Sequence, residues 1–234
     1  MCARIRMGCK RHSRERGIMD SMLRPVQILV VAALTAALAC GGSPAAPGNG
    51  SDPPPIVVAL GDSLTEGPGI SQSQAYPARL EQRLRSEGYP HEVLNRGVSG
   101  DTSADALLRL DAALVPNTRV LIVALGANDG LRGVPVAEVR TNIAAIIEEA
   151  QRRELRVLLC GMEAPPLRSL QYTLEFHDIF PDLAQRYGVP LMPFLLADVL
   201  GDPALNLLDA FHPNAAGHRR IADNMWPYLE PLLR

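Results

Sequence analysis

The stretch Val58–Gly67, VALGDSLTEG, carries an apolar run that stops abruptly in Gly61, Asp62 and Ser63. A segment that only packs as a strand has no use for a hydroxyl at its end. A chain that presents a nucleophile at the rim of a sheet does. Outward from this point, short β-branched runs alternate with longer amphipathic ones. Residues 56–60, 91–97, 119–126, 156–161 and 189–194 read as strands. Residues 75–88, 103–114, 136–155 and 174–188 read as helices between them, and a last helix spans about 215–233, interrupted near Pro227. In the third helix the apolar residues 139, 143, 146, 147 and 150 share one face. Strands that are apolar on both sides, joined by helices, imply a parallel sheet covered on both faces. In such sheets a ligand binds beyond the carboxyl ends of the strands. Gly61 to Ser63, Gly97 to Gly100 and Gly126 to Asn128 all fall there, so three signals point to one rim.

The chain has 234 residues and 47% hydrophobic content, enough for one full core. Residues 1–39 hold seven of the 23 Arg and Lys but two of the 25 Asp and Glu, leaving 16 basic and 23 acidic side chains. That acidic balance argues against nucleic acid as a partner. Lys10 is the only lysine. Serine–lysine dyads, Schiff bases and lysine-bearing phosphate loops are therefore excluded from the rest of the chain.

Residues 1–39 read as a leader. Arg24 precedes the apolar run 26–39, VQILVVAALTAALA, which is short for a membrane span and fits a secretory segment. Met19 or Met22 would give a more typical start than Met1. Ala37-Leu38-Ala39-Cys40 resembles a bacterial lipoprotein cleavage site, with Cys40 as the lipid anchor; ordinary cleavage after Ala39 fits the same residues. Residues 40–54 then form a Pro/Gly/Ser tether, and 55–234 the folded domain. The expected location is exported and periplasmic, anchored to the membrane through Cys40. Cys160 lies in an apolar run and reads as a buried thiol, so no disulfide framework is expected.

A serine nucleophile needs a base. Asp62-Ser63 also suits a helix N-cap, and no G-x-S-x-G elbow occurs. Past the leader there are four histidines. His91 begins a strand at the opposite rim, His177 lies on a helical run, and His218 lies inside the last helix. His212 stands in LLDAFHPNAAGH (207–218), three residues after Asp209 and just before Pro213. An Asp-x-x-His turn lets the carboxylate reach Nδ1 while Nε2 faces outward, as a serine-activating base requires. Pro213 holds His212 in extended backbone and is expected to start the following helix.

The blocks GDSLTEG (61–67), GVSGDTSADALLRL (97–110), LGANDGLRG (125–133) and DAFHPNAAGH (209–218) resemble the SGNH/GDSL hydrolases, closest to the bacterial acyl-CoA thioesterase I/lysophospholipase L1/arylesterase group. The resemblance implies a three-layer α/β/α sandwich with a five-stranded parallel sheet of flavodoxin-like type. It implies Ser63 as nucleophile, His212 as base and Asp209 as its orienter. It also implies an oxyanion hole from the N–H groups of Ser63 and Gly100 and the amide of Asn128, and a mobile loop at 130–133 beside the acyl pocket. The apolar residues Leu131, Pro165 and Phe211 suit an acyl group better than a sugar. Residues 162–176 depart from the family pattern, with Leu167-Arg168-Ser169 where an Asn-Tyr-Gly-like stretch is usual. The expected activity is cleavage of acyl or aryl esters, and of thioesters or lysophospholipids, by a cofactor-free monomer. A carbohydrate O-acetyl esterase and a non-catalytic lipid-anchored binding protein are the alternatives. A metalloenzyme using Asp209, His212 and His218 finds no further ligand cluster.

Overall fold

The computed structural model describes residues 53–165 and 167–234. The leader 1–39, Cys40 and the tether up to residue 52 lie outside the described residues. Five strands form the centre: β1 Ile56–Gly61, β2 Glu92–Gly97, β3 Thr118–Ala124, β4 Arg156–Cys160 and β5 Leu191–Met192. All pair parallel in the order β2-β1-β3-β4-β5.

The helices are α1 Ser63–Glu66, α2 Tyr76–Ser86, α3 Ser103–Leu108, α4 Leu110–Ala113, α5 Ala127–Arg132, α6 Val136–Arg152, α7 Leu170–His177, α8 Ile179–Tyr187 and α9 Ala215–Leu229. The strand order reverses direction between β1 and β3. With right-handed crossovers this places α2 and α9, which pack together, on one face, and α3, α6 and α8 on the other. This is the expected α/β sandwich. Val57 to Leu60 and Val120 to Ala124 are fully buried, as strands covered on both faces require. The predicted apolar face of the third helix is realised in α6, where Val139, Ile143, Ile146, Ile147 and Ala150 all face the core.

Several boundaries differ from the expectation. The run 103–114 is two short helices, because Arg109 leaves helical geometry between α3 and α4. The run 174–188 is also two helices, and α7 starts earlier than expected because Ser169 caps it, its hydroxyl accepting from Tyr172 N–H. The segment 189–194 pairs only at Leu191 and Met192, next to the single strand β4 at the sheet edge. Pro227 does not interrupt the last helix. The bond it removes lies near the end of α9, where Met225, Trp226 and Leu229 hold the helix to the core.

The register positions the site. Gly61 lies level with Gly97 on one side and Ala124 on the other. The three following loops therefore start at one height, at the reversal point where an open α/β sheet forms its crevice. Gly97 is required here: a Cβ would stand 2.2 Å from the backbone nitrogen of Glu66. The loop after β2 can thus lie directly against the turn that carries Ser63.

Candidate active site

Ser63 opens α1, and the preceding Asp62 caps that helix, its Oδ1 accepting from Leu64 N–H at 2.9 Å. The cap and the nucleophile readings of Asp62-Ser63 are therefore compatible, since Asp62 does the capping and the Ser63 hydroxyl is left for another partner. That partner is His212: its Nε2 lies 3.0 Å from Ser63 Oγ. On the other side of the ring, Nδ1 lies 2.6 Å from Asp209 Oδ2. With Nδ1–H donating to the carboxylate, Nε2 carries a lone pair toward the hydroxyl, which then donates to it.

The Asp-x-x-His turn explains why these groups meet. Asp209 divides its oxygens: Oδ2 takes the imidazole, while Oδ1 accepts from Phe211 N–H at 3.0 Å and His212 N–H at 2.9 Å. These bonds, the imidazole's first, hold its carboxyl down at about 2. Asp209 is thus ionised wherever the domain is folded and working. Pro213 does not start the helix as expected. It forms a bridge with Asn206, and Asn214 caps α9 by accepting from Ala216 and Gly217 N–H at 2.8 and 3.1 Å. The base is held by a short antiparallel pairing behind it rather than by the helix itself.

Around the hydroxyl, Ser63 N–H is the first of a helix and has no intrahelical acceptor. Gly100 takes φ +87°, a conformation open to glycine, and its carbonyl accepts from Arg132 Nη2 at 2.7 Å. The Asn128 amide, in the first turn of α5, donates to the Asp101 carbonyl at 2.9 Å and to Asp62 Oδ2 at 3.3 Å. Arg109 ties the same loops, binding Asp101 Oδ2 at 2.5 Å and the Gly61 carbonyl at 3.0 Å.

Burial changes the behaviour of two groups that the sequence marked only as a helix cap and as a histidine of the last helix. Asp62 is fully buried, and burial pushes its carboxyl up to about 7. His218, inside the last helix as the sequence places it, is fully buried behind the site. Its Nδ1 accepts from Tyr76 N–H at 3.2 Å, and Nε2 finds no partner among the described residues. Burial holds it down at about 4, neutral at working pH. Its Nδ1 is thereby turned away from any metal-ligand role with Asp209 and His212. The signal for both was in the sequence, a carboxylate inside an apolar strand end and a histidine on the apolar stripe of α9. His91 is buried at the start of β2, far along the strand from Ser63, and His177 is exposed, 2.7 Å from Glu163. Cys160 is buried in β4 as expected, and burial raises its thiol.

A cavity of about 210 Å³ lies beside the serine turn, walled by Leu64, Leu131, Met162, Pro165, Phe194 and Phe211 among others. All three residues expected to meet substrate, Leu131, Pro165 and Phe211, line it. Phe211 also stands edge-on to the His212 ring, centroids 5.3 Å apart, so the apolar wall is continuous with the base. The 130–133 segment is not a loop: Gly130 to Arg132 complete α5 and Gly133 caps it, with Arg168 binding the carbonyls of Gly130 and Leu131.

Comparison with known proteins agrees with this arrangement. Residues 59–220 match the family model described as GDSL-like Lipase/Acylhydrolase family. The chain is 38% identical to the Esterase TesA of Pseudomonas aeruginosa over 178 residues, covering 76% of this chain and 89% of that protein. It is 36% identical over 175 residues to the Thioesterase 1/protease 1/lysophospholipase L1 of Escherichia coli, covering 74% and 83%. The crystal structure of TesA superposes with a TM-score of 0.72 at 36% identity, covering 76% of this chain and 99% of that one. The chain belongs to the GDSL-like lipase/acylhydrolase family.

Proposed function

We propose that this protein is a serine hydrolase that cleaves carboxylic esters of acyl chains, and thioesters or lysophospholipids, through an acyl-enzyme. The carrying observation is the unbroken relay from Asp209 Oδ2 to His212 to Ser63 Oγ, opening on an apolar cavity. Ser63 Oγ attacks the carbonyl carbon while His212 Nε2 takes its proton. The developing negative oxygen is met by the N–H groups of Ser63 and Gly100 and by the Asn128 amide. Both amide hydrogens are engaged in the resting structure. The longer bond, to Asp62, is the one exchanged for the oxyanion. His212 then protonates the departing alcohol or thiol, and a water activated by the same nitrogen releases the acid. Asp209 keeps the imidazole in the required tautomer throughout.

The relatives named esterase and thioesterase 1/protease 1/lysophospholipase L1 support this substrate range. The cavity wall, apolar except for Glu163, favours an alkyl acyl group over the acetyl-sugar alternative, which would call for more polar partners. At about 210 Å³ it falls below the roughly 300–1,000 Å³ usual for a drug-sized ligand, so it takes a short or medium acyl group whole. All the named catalytic groups come from one chain, which supports a monomer as the working unit. The apolar run 26–39 and Cys40 support export to the periplasm with lipid attachment at Cys40. Incorporation of labelled palmitate into the protein, lost in Cys40→Ser, tests that attachment.

The function is tested with p-nitrophenyl esters from acetate to palmitate, comparing the protein with Ser63→Ala. Serine-dependent turnover best at butyrate to octanoate is the expected profile. Turnover of acetate alone would move the reading to deacetylation, and no turnover at any length to a binding protein.

A further inference from the structure

Leu131 walls the acyl cavity and is also 45% exposed, so at that point one side chain separates the cavity from solvent. Its own helix does little to hold it there. α5 has six residues, too few for a helix to be stable by itself. Its last turn is also short of donors. The Leu131 carbonyl would take the N–H four residues on, but that residue is Pro135, which has none. Val134 N–H, four residues beyond Gly130, goes instead to the Asp129 carbonyl at 3.0 Å. Gly130 is left with a 3.3 Å bond from Gly133 N–H, and Leu131 with no backbone donor.

Arg168 supplies what is missing. Its Nε donates to the Gly130 carbonyl at 3.1 Å, and its Nη2 donates to the Leu131 carbonyl. A cationic donor on the carbonyls that end a helix gains both from the bonds and from the helix dipole. The seat is shaped for the guanidinium: Gly133 takes φ +70°, and a Cβ there would stand 2.7 Å from Arg168 Nη1. On the side of the cavity, Gly130 packs so closely that a Cβ would meet Ala164 Cα and Pro165 Cδ at 3.3 Å. The last turn of α5 is thus held between the 164–165 wall and Arg168. To pass Leu131, an acyl chain longer than the cavity must push that turn off both arginine bonds. We infer that Arg168 is a positioning residue that acts through Leu131 and sets the upper length of the acyl group this enzyme accepts. This rests on the acyl-ester reading above. Arg168 lies in the stretch 162–176, where this chain departs from the family pattern.

The test compares the full chain with Arg168→Ala, Leu131→Ala and the double variant, measuring kcat/KM on p-nitrophenyl butyrate and p-nitrophenyl laurate. The laurate-to-butyrate ratio is taken within each preparation, so a partly unfolded variant does not distort it. The expected result is a ratio at least about tenfold higher in Arg168→Ala than in the wild type, the low end of what one methylene is worth in an apolar pocket. Leu131→Ala should raise it similarly, and the double variant should add little to either single change, because both act on one wall. An unchanged ratio in Arg168→Ala overturns the inference, even if activity falls equally on both esters, since the arginine would then only support the fold. Shifts that multiply in the double variant overturn it as well, because Arg168 would then act by a route other than Leu131. Failure of the wild type on every ester is a different result: it removes the acyl-ester reading, and the inference with it.

Discussion

Acidification from about pH 7.5 to about pH 4 engages two buried groups behind the nucleophile with opposite effects on stability. His218 titrates at about 4 in the folded protein against 6.5 when free. Between those values the unfolded chain binds a proton that the folded one refuses, so stability falls as pH falls, by about 3 kcal/mol at pH 4. Asp62 runs the other way. Its carboxyl binds a proton near 7 when folded and near 3.8 when free, so acidification stabilises the fold through it by roughly 3–4 kcal/mol. The two contributions nearly offset in the intact protein. Replacing His218 by Asn keeps an acceptor for Tyr76 N–H and removes the titration. The variant should therefore gain about 3 kcal/mol relative to wild type on going from about pH 7.5 to about pH 4, whatever constant penalty its smaller side chain brings. Urea unfolding followed by tryptophan fluorescence at several pH values measures this directly, since Trp226 packs in the core. A difference between the two proteins that stays constant across the range would refute the buried, neutral histidine.

Three further outcomes follow from the site. Asp209→Asn keeps the turn, because an amide oxygen can still accept from Phe211 and His212 N–H, but presents the wrong partner to Nδ1; kcat should fall about 10⁴-fold with KM little changed. Asn128→Ala removes one oxyanion donor and should lower kcat about 10²–10³-fold in the same ester assay, with thermal unfolding showing whether the links to Asp62 and Asp101 also matter for folding. Gly97→Ala drives a methyl against the Glu66 backbone 2.2 Å away, and should destabilise the domain by at least about 1–3 kcal/mol, read as a lower Tm.

The parallel sheet and its helices were legible because strands 56–60, 119–126 and 156–161 are apolar without alternation and the 136–155 helix keeps one apolar face. The positions of Ser63, Asp209 and His212 were legible because a hydroxyl, a carboxylate and an imidazole interrupt apolar runs where packing has no use for them. What escaped was set by tertiary contact. β5 is cut to two residues by its single neighbour at the edge, which the apolar run 189–194 does not reveal. Pro227 stays helical because its neighbours are buried, a fact local propensity does not contain. Asp62 read as a helix cap, which it is, and His218 as a residue inside the last helix; only the tertiary burial of both makes them titrate abnormally. Residues 130–132 end a helix that Gly133 caps, and the carbonyls left free at its end are bound by Arg168, 38 residues beyond Gly130 and 37 beyond Leu131, a contact local sequence does not reveal.

The Ser63–His212 bond joins residues 149 positions apart. Its two partners leave from the first strand and from the segment after the last, so the contact closes only when every strand between them is in place. Catalytic competence is therefore among the last properties the chain acquires during folding. A nascent chain is inert until almost all of it has emerged. Recovery of hydrolysis after denaturation likewise reports completion of the whole sheet rather than of any part.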